Sequence, residues 1–313
     1  MGKWLIKNGT FVTLDDQRPI VHGWMGIEGS RIAEMGEGDP PPAWLEQSAE
    51  TVDGRNLLFL PGLINTHGHA AMSLLRGLAD DRALQDWLEN HMWPMEAKFT
   101  GDDVYWGSAL AAAEMIKTGT TTFLDMYDHM DRVAEVAELA GLRAVLTRGM
   151  IGAVPEEQQK AKLEDAISFA KNWHGAADGR ITVMMSPHAP YTCPPDFIVK
   201  VIEAAHDLGL GLHTHMSETR FEVEQNVRDY GVRPPEHLDR LGFFSRPALV
   251  AHAVHLTDEE IALLAERRVA VSHNPVSNLK LASGVARVPE MLKAGITVGL
   301  GTDSAASNNN LDL

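Results

Sequence analysis

Leu58-Phe-Leu-Pro-Gly-Leu-Ile-Asn-Thr-His67-Gly-His69 passes from an apolar, β-prone run into two histidines separated by glycine. Side chains at i and i+2 of an extended strand point to one side, so His67 and His69 can offer two imidazoles to one point. A His-x-His pair alone is weak, because most of the chain's 14 histidines are expected to be solvated or hydrogen-bonded to backbone. The same pattern recurs three more times, and that recurrence decides the fold. Leu210-Gly-Leu-His213-Thr-His215-Met-Ser-Glu218, Ala248-Leu-Val-Ala-His252-Ala-Val-His255 and Ile296-Thr-Val-Gly-Leu-Gly-Thr-Asp303 each end an apolar run on a metal-binding or acid-base side chain.

Apolar runs at 58–66, 120–126, 143–150, 181–186, 210–215, 248–254, 269–273 and 296–302 predict strands. Helical periodicity over 102–118, 130–140, 156–173, 196–208, 219–230, 257–267 and 286–294 predicts helices between them. Alternating strand and helix, with every chemical residue at a strand's C-terminal end, is the arrangement of a (β/α)₈ TIM-like barrel with its site on the top face. A doubly wound open sheet does not gather side chains from its first, fifth, sixth and eighth strands around one point.

Of the pair His213 and His215, the latter is read as reaching the site, with His213 one layer deeper as a hydrogen-bonding or core residue. Asp303 directly follows an apolar strand, where a carboxylate either caps the next helix or ligates a metal; with histidines on other strands, ligation is the reading. Glu218 has two open readings, an acid over the site or an acid at the start of the helix 219–230. His255 and His273 are read as hydrogen-bonding residues at strand ends.

Residues 1–57 differ. Short β-like segments, Trp4–Lys7, Thr10–Leu14, Trp24–Glu28 and Arg31–Met35, are separated by Asn8-Gly9, Gly29-Ser30 and a loop holding Pro40-Pro41-Pro42. They predict a small β-rich, sandwich-like domain of hairpins before a barrel domain at 58–313. A net charge of −16 argues against nucleic acid or an anionic membrane as partner. No apolar run long enough to span a bilayer and no secretory leader is visible, which predicts a cytoplasmic protein. The single cysteine, Cys193, excludes an internal disulfide and the Cys-x-x-Cys zinc site of cytidine deaminases.

The stretches Pro61-Gly-Leu-Ile-Asn-Thr-His67-Gly-His69, His215-Met-Ser-Glu218, Ala251-His252-Ala-Val-His255-Leu, Ser272-His-Asn-Pro-Val-Ser-Asn-Leu-Lys-Leu281 and Leu300-Gly-Thr-Asp303-Ser-Ala-Ala-Ser-Asn308 together resemble the amidohydrolase superfamily. More narrowly they resemble its branch of 5-methylthioadenosine/S-adenosylhomocysteine deaminases and triazine chlorohydrolases. The resemblance implies one divalent ion, Zn²⁺ or in some members Fe²⁺, held by His67, His69, His215 and Asp303, with Glu218 and His252 acting on the water and the substrate. Binuclear members carry a carboxylated lysine at the end of the fourth strand; Ile181-Thr-Val-Met-Met-Ser-Pro-His188 offers none, so one metal is expected. Asp303 is then placed to accept the water's proton, Glu218 to protonate a purine ring nitrogen, and His252 to hold the attacking oxygen in line.

For the substrate, the resemblance places Glu96 on the ribose hydroxyls, Trp87 against the 5′ substituent, and Arg148 and His188 near the sugar and its extension. The plain alternatives are a packed helix aromatic for Trp87 and a solvated helix-end acid for Glu96. The activity implied is hydrolytic deamination of adenine nucleosides (5′-methylthioadenosine, S-adenosylhomocysteine, adenosine), with self-association left open. Two rivals stand beside it: a chlorohydrolase or a pterin- or guanine-type heterocycle deaminase, and a non-catalytic scaffold. Glu218 favours the deaminase, and the complete ligand set disfavours the scaffold. By the same resemblance members continue past Leu313, so the sequence is expected to be a segment of a longer polypeptide. Strand 8 is then expected to lack its outer helix, and 1–57 to form a sheet with open edges.

Overall fold

The computed structural model describes residues 2–313. The chain divides into two compact units, one ending at Gly62 and one spanning Leu63–Leu313. In the first, strands β1 (Lys3–Val12), β2 (Ile20–Glu28), β3 (Arg31–Glu37), β4 (Glu50–Asp53) and β5 (Leu58–Phe59) form one sheet of order β3-β2-β1-β4, with β5 also paired to β1. Leu5, Trp24 and Trp44 form its small core. Asn8-Gly9, read as a turn, is instead a bulge inside β1, where the register shifts between Ile6 and Gly9. Asn8 takes φ 60°, a conformation asparagine adopts more readily than most side chains, and its amide donates to Asp53 Oδ1 at 3.1 Å. The triple-proline loop starts a helix, Pro42–Gln47, because proline's fixed φ suits the first helical position.

The second unit is the barrel. Strands β6 (Leu63–Asn65), β7 (Thr120–Tyr127), β8 (Arg143–Met150), β9 (Ile181–Pro187), β10 (Gly211–Met216), β11 (Ala248–His252), β12 (Ala270–His273) and β13 (Val298–Leu300) pair in sequence order, all parallel. The expected strand 58–66 is two strands in two sheets. Pro61 has no N–H to give a ladder, so pairing stops there and resumes at Leu63. The ring closes where the Thr66 N–H donates to the Leu300 carbonyl (2.9 Å) and the Asp303 N–H to the His67 carbonyl (3.0 Å). Gly68 and Asp303 form a parallel bridge at the same seam.

The predicted helices appear within a residue or two of their expected ends. Thr100 and Asp103 cap Gly101–Thr118 reciprocally, and Gly119 ends it at φ 91°, a left-handed turn that costs glycine least. Inside that helix, a Cβ at Gly107 would lie 2.4 Å from the Ala71 carbonyl oxygen. Glycine there lets the helix lie against the turn Ala70–Leu75 that follows His69. Met130–Ala140 buries Val133, Ala134, Val136 and Ala137, the stripe that a period of 3.6 places toward a sheet. Helices Pro234–Arg240 and Pro275–Lys280 escaped the sequence reading because their prolines look like breaks when they in fact open the helix. No eighth helix was expected; one turn, Ala305–Asn308, follows Asp303, with the Ser304 hydroxyl accepting from the Ser307 N–H. No helix among the described residues is long and apolar enough to cross a membrane.

Candidate metal and acid-base centre

At the top of the barrel three strand ends leave the regular backbone. Ser217 (φ 52°), His252 (φ 73°), Ala253 (φ 47°) and Asp303 (φ 57°) all adopt left-handed conformations, at a cost of roughly 1–3 kcal/mol each for side chains that are not glycine. These kinks turn the chain so that Glu218, His252 and Asp303 face the same space as His67, His69 and His215. Donor atoms of His67, His69 and Asp303 lie within 4.8 Å of one another, and so do those of His67, His215 and His252. His67, common to both groups, is the centre of the cluster.

The tautomers follow from the acceptors. The Nδ1–H of His69 donates to the Met126 carbonyl (2.6 Å), and that of His215 to the His188 carbonyl (2.7 Å). Because His213 donates from Nδ1 to the Leu249 carbonyl (2.8 Å), its Nε2 accepts, and it accepts from His67 Nδ1–H at 3.0 Å. In their neutral form His67, His69 and His215 therefore each carry the lone pair on Nε2, and the Nε2 of His67 is buried without a hydrogen-bond partner. His213 is the deeper, hydrogen-bonding residue expected from the sequence.

Asp303 completes the set. Its Oδ2 accepts from the hydroxyls of Ser277 and Ser307, while Oδ1 lies 3.2 Å from His69 Nε2 and 3.6 Å from His67 Nε2. Burial, reinforced by the neighbouring charge at His69, holds His67 well below the usual histidine range, and burial does the same to His215. Burial acts on His69 too, but its hydrogen bond and charge pairing with Asp303 prevail and raise it to about 9. Three imidazole Nε2 atoms, that of His69 once a cation displaces the proton it shares with Asp303, and one carboxylate oxygen, all with their other polar atoms already held, are the donor chemistry of a single divalent ion with room for water. β9 carries no lysine, so no bridging carbamate is available for a second ion.

Glu218 does not cap the following helix; Thr219 does, its hydroxyl accepting from the Glu222 N–H. The Glu218 side chain is buried in the site, where Oε1 accepts from the Ser283 hydroxyl (3.2 Å) and Oε2 lies 3.6 Å from His252 Nε2. Burial raises its carboxyl above the usual glutamate range. His252 is steadied from behind, Nδ1–H donating to Asn278 Oδ1 at 2.7 Å. His255 donates to the Ser283 carbonyl, the strand-end role expected for it, whereas His273 Nδ1 has no partner.

A cavity of about 500 Å³ opens over these residues, and Trp87, Glu96, Arg148 and His188 all line it. Trp87 is both packed, at 4% exposure, and part of the wall. Glu96 is not a solvated helix end: it accepts from the Tyr127 hydroxyl at 2.7 Å, and burial raises its carboxyl. The Arg148 guanidinium is held by Asp128 (2.5 Å) and Asp165 (2.7 Å). His188, lowered by burial to about 3, also orients His215 through its carbonyl. Tyr127, Tyr191, Ser277, Asn278 and Ser283 were not singled out from the sequence. The run containing Ser277 and Asn278 was visible as a motif, but nothing in its composition says that a one-turn helix points its hydroxyl and amide at Asp303 and His252.

The amidohydrolase family profile matches residues 58–313. This chain belongs to the amidohydrolase family. A 5-methylthioadenosine/S-adenosylhomocysteine deaminase of Syntrophomonas wolfei is 52% identical over 311 residues, covering 99% of this chain and 71% of the relative. Among solved structures, an adenosine deaminase from Xanthomonas campestris with bound zinc is 34% identical with a TM-score of 0.89, covering 99% of this chain and 71% of that one. A zinc complex of the Arthrobacter aurescens atrazine chlorohydrolase matches with the same TM-score at 26% identity, covering 99% and 74%. The barrel of this amidohydrolase thus belongs to a scaffold on which both zinc-bound deaminases and zinc-bound chlorohydrolases are built.

Proposed function

We propose that this amidohydrolase hydrolyses the 6-amino group of adenine nucleosides (5′-methylthioadenosine, S-adenosylhomocysteine, adenosine), releasing ammonia and the inosine derivative. The observation that carries the proposal is the buried Glu218 facing His252 beside the Nε2 atoms of three histidines and a carboxylate, with a second buried carboxylate, Glu96, on the same cavity wall. The high identity to relatives named for this activity supports it.

His67, His69, His215 and Asp303 would hold the ion, zinc or iron(II) by donor type. A divalent cation there supplies a Lewis acid that lowers the pKa of adjacent water toward neutrality. Asp303, with Oδ2 occupied by two serine hydroxyls, offers Oδ1 to the water's proton. His252, fixed by Asn278, directs the attacking oxygen toward C6 from its Nε2 face. Glu218 in its acid form would donate to a purine ring nitrogen, making C6 electrophilic, then take the remaining proton of the attacking oxygen and pass it to the departing amine, while the proton held by Asp303 restores the Glu218 acid. Water supplies the carbonyl oxygen, one of its hydrogens leaves in the ammonia and the other is matched by the proton gained at the ring nitrogen, so the reaction balances as amine plus water to carbonyl plus ammonia.

A panel of 5′-methylthioadenosine, S-adenosylhomocysteine, adenosine, guanine and a chlorotriazine, read for ammonia and chloride, tests the proposal. Ammonia from the adenine nucleosides is expected; chloride from the triazine alone, or turnover of guanine alone, overturns it. Within the panel, Glu96→Ala should raise KM for nucleosides by roughly 10- to 100-fold and leave free adenine nearly unaffected, because the ribose hydroxyls lose a charged acceptor. Equal losses on both remove Glu96 from the sugar site.

His213 makes no contact with the ion in this reading, yet it fixes the tautomer of His67. His213→Phe is therefore expected to weaken metal affinity by about 10- to 100-fold, measured by competition with a chromophoric chelator. Unchanged affinity would reduce His213 to a packing residue.

A further inference from the structure

Glu222 occupies the third position of the helix Arg220–Tyr230, capped by Thr219. In an ordinary capping box the acid at that position reaches back to the N–H of the capping residue, as Glu260 does to Thr257 (2.8 Å) in this same barrel. Glu222 reaches past its cap. Its Oε1 accepts from the Ser217 N–H and its Oε2 from the Glu218 N–H, both at 2.8 Å. On the opposite side, the Ser217 carbonyl accepts from the N–H groups of Val254 (3.1 Å) and His255 (3.0 Å), which follow His252 in the chain. Glu222 is 1% exposed and Ser217 sits at φ 52°. The peptide that carries Glu218 is thus clamped between a buried carboxylate and the exit of the strand that carries His252.

Helix capping alone does not need this arrangement, since Thr219 already satisfies the helix's third N–H. We infer that Glu222 is a positioning residue for proton transfer: it fixes the left-handed turn at Ser217 so that Glu218 stands opposite His252 and the substrate nitrogen. This rests on the role proposed for Glu218. Without the clamp, the two N–H groups lose their acceptors and the turn is free to relax toward extended backbone, swinging the Glu218 carboxyl away while the ligands on other strands stay in place.

The test is a double-mutant cycle on the metal-loaded protein with 5′-methylthioadenosine. Glu222→Gln keeps the side chain's volume but presents an amide N–H₂ to one of the two N–H donors. Its kcat is expected to fall about 10²-fold, the order of loss that a displaced acid-base group produces, with KM and metal content near those of the parent. In the Glu218→Gln background the same change should cost almost nothing further, because there is no proton donor left to misplace. Losses that multiply in the double variant, an unchanged kcat in Glu222→Gln, or a loss carried by KM or metal content would each overturn the inference. Should Glu222→Gln fail to fold by its thermal melt, Glu222→Asp, which keeps the charge and retracts it by one methylene, takes its place in the cycle with the same outcomes. Glu218→Gln alone reports on Glu218: full activity there removes the acid itself, and is read independently of the cycle.

Discussion

Glu218→Gln is expected to bind its ion normally and to lose kcat by roughly 10²–10⁴-fold, the usual worth of one positioned proton donor. The amide has the same shape and still accepts from Ser283, so neither packing nor the ligand cluster should change; only the transferable proton is gone. Burial is what makes this carboxyl a donor, because it penalises the charged form and keeps the acid form present at higher pH than for an exposed glutamate. Steady-state kinetics beside metal analysis of the same preparation checks it. A variant with full metal and full kcat would take Glu218 out of the mechanism.

His67→Ala is expected to abolish both metal and turnover. His67 is the one histidine common to both donor groups, and its loss removes a central ligand and leaves His213 Nε2 without its donor. The ion also bears on stability. Where it is present at about 1,000 times its dissociation constant it contributes about 4 kcal/mol to the folded state, so a chelator should lower the parent's Tm by roughly 10 °C. The Tm of His67→Ala, already without the ion, should not respond. A parent melt indifferent to the chelator, or a His67→Ala protein that still retains a full equivalent of metal, would break the ligand assignment.

The barrel was legible because its signals are local. Each strand is a short apolar run, the long helices show a period of 3.6, and most of their ends carry a threonine, a glycine or a proline with a stereochemical reason. Geometry fixed by partners far away in sequence was less so. That Thr219 rather than Glu218 caps its helix, that Asn8-Gly9 bulges within a strand, and that Pro61 divides one apolar run between two sheets all depend on which residues lie opposite. The acid-base constellation was visible as residue types at strand ends. Its supports, Ser277, Asn278, Ser283 and Glu222, were not, because serine, asparagine and glutamate are common at helix starts for reasons unrelated to chemistry.

The seam between the first and last barrel strands sets an order in time. Thr66 bonds to Leu300 and Asn65 to Thr302 across 234 and 237 residues of chain, among the longest-range contacts in the molecule, and such contacts form slowly and late. At ordinary rates of synthesis, roughly tens of seconds separate the emergence of His67 from that of Asp303. The Met126 carbonyl and the His213 ring that set the tautomers of the early histidines emerge within that interval, and the Asp303 carboxylate comes last. A nascent chain can therefore hold an ion only loosely. With the proposed ligand set, selective metal uptake would be an event of the closed ring, and the ion would then act as a clasp across the join that finished last.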